Sequence, residues 1–549
     1  MRASFVRMRN VMACALLASA LFSAAAYGQS FQVQCPATTA LHPGTCTAGT
    51  NHGESCVAVS DCPDSNGVCA PRGSNADPSH AGAIKCQHIG GGDGFATMAD
   101  GHQIYLFAFS PLSGLADIEA GQSGTQTADV FNAGYVGPNY STMGIGACSG
   151  GTNTGEACRA LADCPDSASA GAACVFTSGI NVAQSPNNSA ITEPAGIMDM
   201  GILAGNAPAP LMSIDEDDEF FLTLSNPGMI MRPDLFEQHT VHFHGYPNAS
   251  SYFDGVPDAS IAINIAGSFT YYYTAPDAGT YFWHCHITPP EHLQMGMVGQ
   301  LYVRPRQDRV TSLQSVRAAL IVANQKAAVD PTAEGLVCSD ILCTGQTPAP
   351  PPNAATGGGK YAYNDGDGST RYDVEYPIQM MGFDPNFHYV GMTFNPEAFA
   401  DMKDKYFLLN GRGYPDTVNA ATISTVSADG VARPSQPLPS LIQIHKSAGQ
   451  TRALLRVSDL SVTEFTTLAT IGVPMTVIAL NARLLRDMAG NNLYYQSNSI
   501  TLGGGESADV ILDATDIPAG TYYLYSTNLD HLSNDAENFG GMMTEIRID

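Results

Sequence analysis

From about residue 90 the chain alternates apolar and polar positions in short runs broken by Gly, Pro, Asn and Asp. That period of two is the mark of half-buried strands. Residues 101–109 read as one strand. Residues 209–226 read as a pair around the turn Asp215-Glu216-Asp217-Asp218-Glu219, whose carboxylates are expected to lie in solvent. Residues 269–274, 279–283 and 299–303 add three more, and the set is expected to pair antiparallel. Short strands at this spacing point to a β-sandwich. Residues 305–368 break the pattern. Within them 313–328 read as a short helix, while 347–352 and 357–359 are Pro- and Gly-rich linker. A second strand-rich unit runs from about 369 to 549. Its end echoes the first unit: Ala278-Gly-Thr-Tyr-Phe-Trp-His-Cys-His286 against Ala519-Gly-Thr-Tyr-Tyr-Leu-Tyr-Ser-Thr527. Tyr525, Ser526 and Thr527 thus stand where His284, Cys285 and His286 stand, and the second unit reads as a copy lacking the ligands.

The fold class expected is all-β, two sandwiches with disulfide-rich loop insertions. Residues 1–28 read as a secretory leader, with Arg2, Arg7 and Arg9 before an apolar stretch from Val11 to Ala26. A Cys-rich region covers 29–89. The first sandwich covers 90–305 and carries a Cys-rich insertion at 146–178. A linker covers 306–368 and the second sandwich 369–549. No later apolar run is long enough to cross a bilayer. The reading is an exported protein, periplasmic or extracellular.

Cysteine usage agrees with export. Of 14 Cys, setting aside Cys14 in the leader and Cys285 leaves an even number for a disulfide framework. Cys46, Cys56, Cys62 and Cys69 recur as Cys148, Cys158, Cys164 and Cys174 in a matching Gly-, Asn- and Asp-rich setting. Each quartet reads as a loop module stapled by two disulfides whose pairing stays open. Cys35 and Cys86 bracket the first module and are candidates to pair, and Cys338 and Cys343 form a local pair. His42 and His52 read as surface residues. A net charge of −27 argues against nucleic acid as a partner, because phosphate binding needs a basic face. It would draw cations.

Residues 281–297 carry the chemistry: Tyr281-Phe-Trp-His-Cys-His-Ile-Thr-Pro-Pro-Glu-His-Leu-Gln-Met-Gly-Met297. A thiolate, imidazoles and a weak thioether form the ligand set of a blue-copper site. His284 and His286 are tied covalently to Cys285 and able to wire that site to a second metal group. Upstream, in Gln238-His239-Thr-Val-His242-Phe-His244-Gly245, His242 and His244 alternate onto one strand face.

These motifs resemble the multicopper oxidases, built from cupredoxin domains. His-x-x-His-x-His-Gly is met by His239, His242 and His244, and His-Cys-His…His…Met by His284, Cys285, His286, His292 and Met297. Asp254-Gly-Val-Pro257 and Ala278-Gly-Thr280 also match. The resemblance implies two cupredoxin-like Greek-key sandwiches, the first binding copper. It implies type 1 copper on His239, Cys285 and His292, with Met297 rather than Met295 axial. It further implies type 2 copper on His242, type 3 coppers on His244, His284 and His286, and Asp254 as a proton-relaying acid. Trp283 is expected to pack beside the copper. The implied activity is one-electron oxidation of a small-molecule or metal-ion donor, with oxygen as acceptor. Two departures stand out. The Cys285-to-His292 gap is two residues longer than in laccases. The family's cluster uses four His-x-His pairs, and this chain has two. His80, His88, His102, His388, His445 and His531 form no such pair and read as isolated residues. A second copy or a partner protein would therefore have to complete the cluster. The alternatives are an electron-carrying or copper-binding cupredoxin, and a nitrite-reductase-like site on His244 and His284 with a neighbour's His531.

Overall fold

The computed structural model describes residues 35–62 (without 49 and 53), 68–70, 82–113, 118, 124–127, 201–309 (without 248–249), 359–392, 398–487 and 491–549. Of the short strands Gly146–Ser149, Ala157–Cys158 and Ala173–Val175 only the backbone is described. The leader, the helix expected at 313–328, the Cys338–Cys343 pair and His80 lie outside the described residues.

Two β-sandwiches follow one another. In the first, β1 (Ile84–Thr97), β2 (Gln103–Pro111), β4 (Glu219–Gly228) and β6 (Gly267–Thr274) form one sheet in the order β6-β4-β1-β2. The facing sheet holds β3 (Met212–Asp215), β5 (His242–Phe243), β7 (Gly279–His284) and β8 (Val298–Arg304), in the order β3-β8-β7-β5. The pairing is mixed rather than wholly antiparallel, since β4 runs parallel to β1 and β3 parallel to β8. Local alternation shows which residues share a face but not which distant strand lies alongside.

The second sandwich repeats this plan. It uses β9 (Val374–Phe383), β10 (Tyr406–Leu409), β11 (Ile442–Ile444), β12 (Arg452–Asp459), β13 (Thr466–Ile471), β14 (Met475–Leu480), β15 (Ser499–Leu502), β16 (Ser507–Asp513), β17 (Gly520–Ser526) and β18 (Met543–Ile548). Its sheets run β10-β9-β12-β16-β14 and β11-β18-β17-β13-β15, again with parallel β9/β12 and β11/β18 pairs.

Strand β2 is buried on both faces, which explains its near-continuous apolar run. Tyr105, Phe107 and Phe109 enter the first core, while Ile104, Leu106 and Ala108 meet Met381, Phe383 and Leu408 of the second sandwich. A buried ionic knot adjoins this seam. Arg456 binds Glu375 at 2.9 Å, lies 3.7 Å from Asp509 and sits over the Tyr302 ring at 4.7 Å. Arg304 reaches the same Glu375 at 2.6 Å. Burial opposes the Glu375 charge, yet the two guanidinium groups hold its carboxyl down at about 2.

The Cys-rich module is stapled by Cys46–Cys62 and Cys56–Cys69, and Cys35–Cys86 ties it to β1. The strands at 146–149, 157–158 and 173–175 repeat its three-strand order. His42 is not a plain surface residue, because its Nδ1 lies 2.6 Å from Glu219. The turn 215–219 also departs from expectation. Glu216, Asp217, Asp218 and Glu219 are buried. Arg306 clamps Asp217, its backbone N–H donates to Glu216, and Asn364 donates to Glu216. The donors come from residues 85–150 positions later, so the charge run alone gave no sign of them.

Removing one partner of a buried ion pair leaves an uncompensated charge and costs about 3–5 kcal/mol. Arg456→Met is expected to lower stability by that amount, measured by urea unfolding. Burial also raises Asp404 to about 6, Asp459 to about 7 and Asp308 to about 8. Their unfolded counterparts ionise near 3.9. Stability from these groups is therefore complete below about pH 4 and is lost as pH rises through 6 to 8. The thermal midpoint should fall between pH 5 and pH 8, and less steeply in Asp308→Asn.

Candidate metal centre

The end of β7 and the loop after it build the site. β7 ends at His284, Cys285 follows, and a short helix, Pro289–Gln294, carries His292. Cys285 N–H donates to the Met297 carbonyl at 3.1 Å, and Met297 N–H to the His292 carbonyl at 2.8 Å. These bonds close the loop and draw Cys285, His292 and Met297 together, all three buried. His239 enters from the segment before β5.

The ligand atoms of His239, Cys285 and His292 lie within 4.8 Å of one another, and all three residues are buried. Cys285 is unpaired, and its Sγ lies 3.3 Å from His292 Nδ1. Thr240 N–H approaches the sulfur at 3.4 Å. Both ring nitrogens of His239 are buried without a partner, a defect worth about 1–3 kcal/mol unless something binds there. Burial holds His239 well below its ordinary value, in the neutral form that ligates metal. For His292 burial acts the same way, but Cys285 and Glu237 beside it raise it to about 10. A soft sulfur, two imidazoles and the buried Met297 thioether are a donor set that fits copper. Met295 is equally buried, but it sits at the helix end rather than in the loop-closing hydrogen bonds. Trp283 packs against Phe109 at 5.0 Å and Phe243 at 6.1 Å in the same core as Cys285, as expected.

The second His group lies on the outer side of Cys285. β5 and β7 pair so that His242 lies opposite His284. The ligand atoms of His242, His244 and His284 also fall within 4.8 Å of one another. The His286 ring is 5.0 Å from that of His242 and 5.5 Å from that of His284. Three of these rings have Nδ1 tied to a backbone carbonyl: His242 to Asp254 at 2.7 Å, His284 to Cys285 at 2.6 Å, and His244 to Gly505 at 3.2 Å. That fixes the ring orientations and leaves Nε2 to ligate. His244 Nε2 and His284 Nε2 are 3.1 Å apart. Burial lowers His284 to about 3, so it is neutral at ordinary pH. Asp254 lies 3.6 Å from His242 Nδ1 through its carboxylate. Gly255, at φ +81°, makes that turn, and a Cβ there would strike the Val241 carbonyl.

Residues 189–308 match a family model described as multicopper oxidase. Over this segment the chain is similar to multicopper oxidases. The segment is 33% identical over 118 residues to "Multicopper oxidase MCE" of Talaromyces pinophilus, covering 21% of this chain and 18% of that one. It is 30% identical over 119 residues to "Laccase abr2" of Aspergillus fumigatus, covering 21% and 19%. The chain thus spans about a fifth of the length of these curated relatives. Among solved structures, "Blue Copper Oxidase from Nitrosomonas europaea" aligns over 84% of this chain and 85% of that one, at 16% identity and a TM-score of 0.45.

Outside the matched segment the remaining described His behave differently. His88 is buried against Ser225, His102 is exposed beside Asp100, His388 binds the Tyr105 carbonyl and His445 pairs with Asp549. None joins the metal group. His531 corrects the reading made from sequence. It is 1% exposed and bonded to Ser526 and Glu464, so it is not the His that a neighbouring subunit would lend to a nitrite-reductase-like site. Glu237 was missed altogether, although it stands two residues before His239 and 3.5 Å from His292 Nε2.

Gly91 lies against His239, where a Cβ would come within 2.6 Å of the ring. Gly91→Ala should push the imidazole out of line and remove most of the blue absorption after copper loading. Circular dichroism should show the fold intact.

Proposed function

We propose that this chain is an exported copper oxidoreductase of multicopper oxidase type. It takes single electrons from a small-molecule or metal-ion donor at the pocket of His239, Cys285, His292 and Met297. It passes them through Cys285 to the face formed by His242, His244, His284 and His286, and from there to oxygen. Copper bound in these places supplies the one-electron redox chemistry. The observation that carries the reading is the position of Cys285. Its sulfur stands in one ligand group, and its covalent neighbour His284 stands in the other, with ligand atoms within 4.8 Å inside each group. The path between groups is therefore a few covalent bonds. His284 Nδ1 adds a hydrogen bond to the Cys285 carbonyl, a second short connection. Asp254, beside His242, is placed to hand protons to reduced oxygen.

The second group is half of the family's eight-His cluster. Within the chain, the second sandwich offers it the Gly505 carbonyl at His244. His244 keeps an exposed edge, which supports completion of the cluster by a second copy of the chain or a partner protein. A non-catalytic cupredoxin is the second reading, favoured by the presence of only two His-x-His pairs in the sequence.

Copper content, oligomeric mass and oxygen uptake, measured on one preparation, separate the two. The oxidase reading expects two or more coppers per chain, an oligomer, and oxygen consumed with a one-electron donor. One copper per chain, with blue absorption and no oxygen uptake, would establish the electron carrier instead.

A further inference from the structure

The second sandwich holds a counterpart of the type 1 pocket, closed by the same two backbone hydrogen bonds. Ser526 N–H donates to the Met542 carbonyl at 2.9 Å, as Cys285 does to Met297. Met542 N–H donates to the His531 carbonyl at 2.8 Å, as Met297 does to His292. Thr527 N–H donates to the Thr467 carbonyl, and His286 N–H to the Thr240 hydroxyl, different atoms of residues in corresponding places, which puts Thr466 at the position of His239. The ring of His531 stacks on Phe407 at 4.0 Å, and that of His292 meets Phe107 at 5.2 Å. Two residues before these positions, Glu464 stands 3.0 Å from His531 Nε2 as Glu237 stands 3.5 Å from His292 Nε2. Of the four ligand positions, one imidazole and the thioether therefore persist. The thiolate has become a hydroxyl and the other imidazole a threonine.

What persists is a coherent donor set. With Nε2–H donating to the Glu464 carboxylate, the lone pair of the neutral His531 ring lies on Nδ1. An imidazole fixed by a carboxylate on its far nitrogen is the usual arrangement of a metal ligand. Nδ1 points at Ser526 Oγ, 3.2 Å away, the counterpart of the Cys285 sulfur. The Ser526 hydroxyl also accepts from Asn528 N–H at 3.3 Å, so its proton is free to turn toward Nδ1 or away from it. His531, Ser526, Thr466 and Met542 are all buried.

We propose that this pocket is a second metal site, selective for a soft monovalent cation such as copper(I), with His531 Nδ1 and the Met542 thioether as ligands. One imidazole with one thioether suits a soft cation and gives divalent copper no thiolate. The site would take up copper without a blue colour and without joining the electron path of the first sandwich.

The test uses the metal-free full-length protein, with methionine methyl groups labelled for NMR, titrated with silver(I) as the probe. Met542→Leu assigns the Met542 resonance, and Met297 serves as the internal reference. The Met542 methyl should shift as silver is added, and His531→Gln should abolish that shift while leaving the Met297 shift in place. By native mass spectrometry Met542→Leu and His531→Gln should each bind one silver fewer than the parent. A Met542 methyl that stays unmoved while Met297 saturates would overturn the proposal. The shift is read on the unaltered sequence, so only the conservative Met542→Leu variant, used for assignment, has to fold. Its outcome is also independent of whether the first sandwich reduces oxygen.

Discussion

Two backbone hydrogen bonds hold the metal apparatus in register, one from Cys285 to Met297 and one from Met297 to His292. They turn a length of chain into a closed loop whose three donor residues are all buried in the first core or against it. The rest of the first sandwich supports that loop. β7 and β8 anchor its two ends, β5 brings the His242 group alongside, and β1 and β2 press Gly91 and Phe107 against the imidazoles. The sulfur is dry because the aromatic core closes around it. The outer His face stays partly open because it lies where the strands end.

The same loop closure in the second sandwich shows that the scaffold and its chemistry are separable. The backbone pairings are kept while two ligands have changed. A Ser–His–Glu chain, buried at Ser526 and His531 and open to solvent at Glu464, satisfies the polar atoms that remain. The ring nitrogens of His239 in the first pocket have no partner within the protein, whereas those of His531 in the second rest against Ser526 and Glu464, so the second pocket holds its shape without an ion.

Much of this was legible in the sequence because ligand spacing is covalent. His284, Cys285 and His286 cannot be separated, and strand alternation decides the sides on which they emerge. The repeat at Ala519 to Thr527 announced the second sandwich for the same reason. What escaped depended on distant partners. The acidic turn at 215–219 looked solvated because Arg306 and Asn364 are far along the chain. His531 looked isolated because it follows Ser526 by five residues, where His292 follows Cys285 by seven. The equivalence shows only when the flanking hydrogen bonds are compared. The parallel pairings of β1 with β4 and β3 with β8 are likewise a matter of topology, which a local pattern does not encode.

The ionic knot of Arg456, Glu375, Asp509 and Arg304 has a consequence for how the molecule comes apart. Its charges are drawn from both sandwiches, and neither sandwich alone can neutralise its own share. Thr280 donates to Asp509, and Ser507 donates back to the Thr280 carbonyl, on the strand that ends at His284. Separating the sandwiches would break the Arg304–Glu375 pair and leave the second with two carboxylates for one guanidinium, so neither half is a good independent folding unit. The chain should melt as one body despite its two-part architecture. The metal-poor half then acts as a mechanical brace for the metal-rich one.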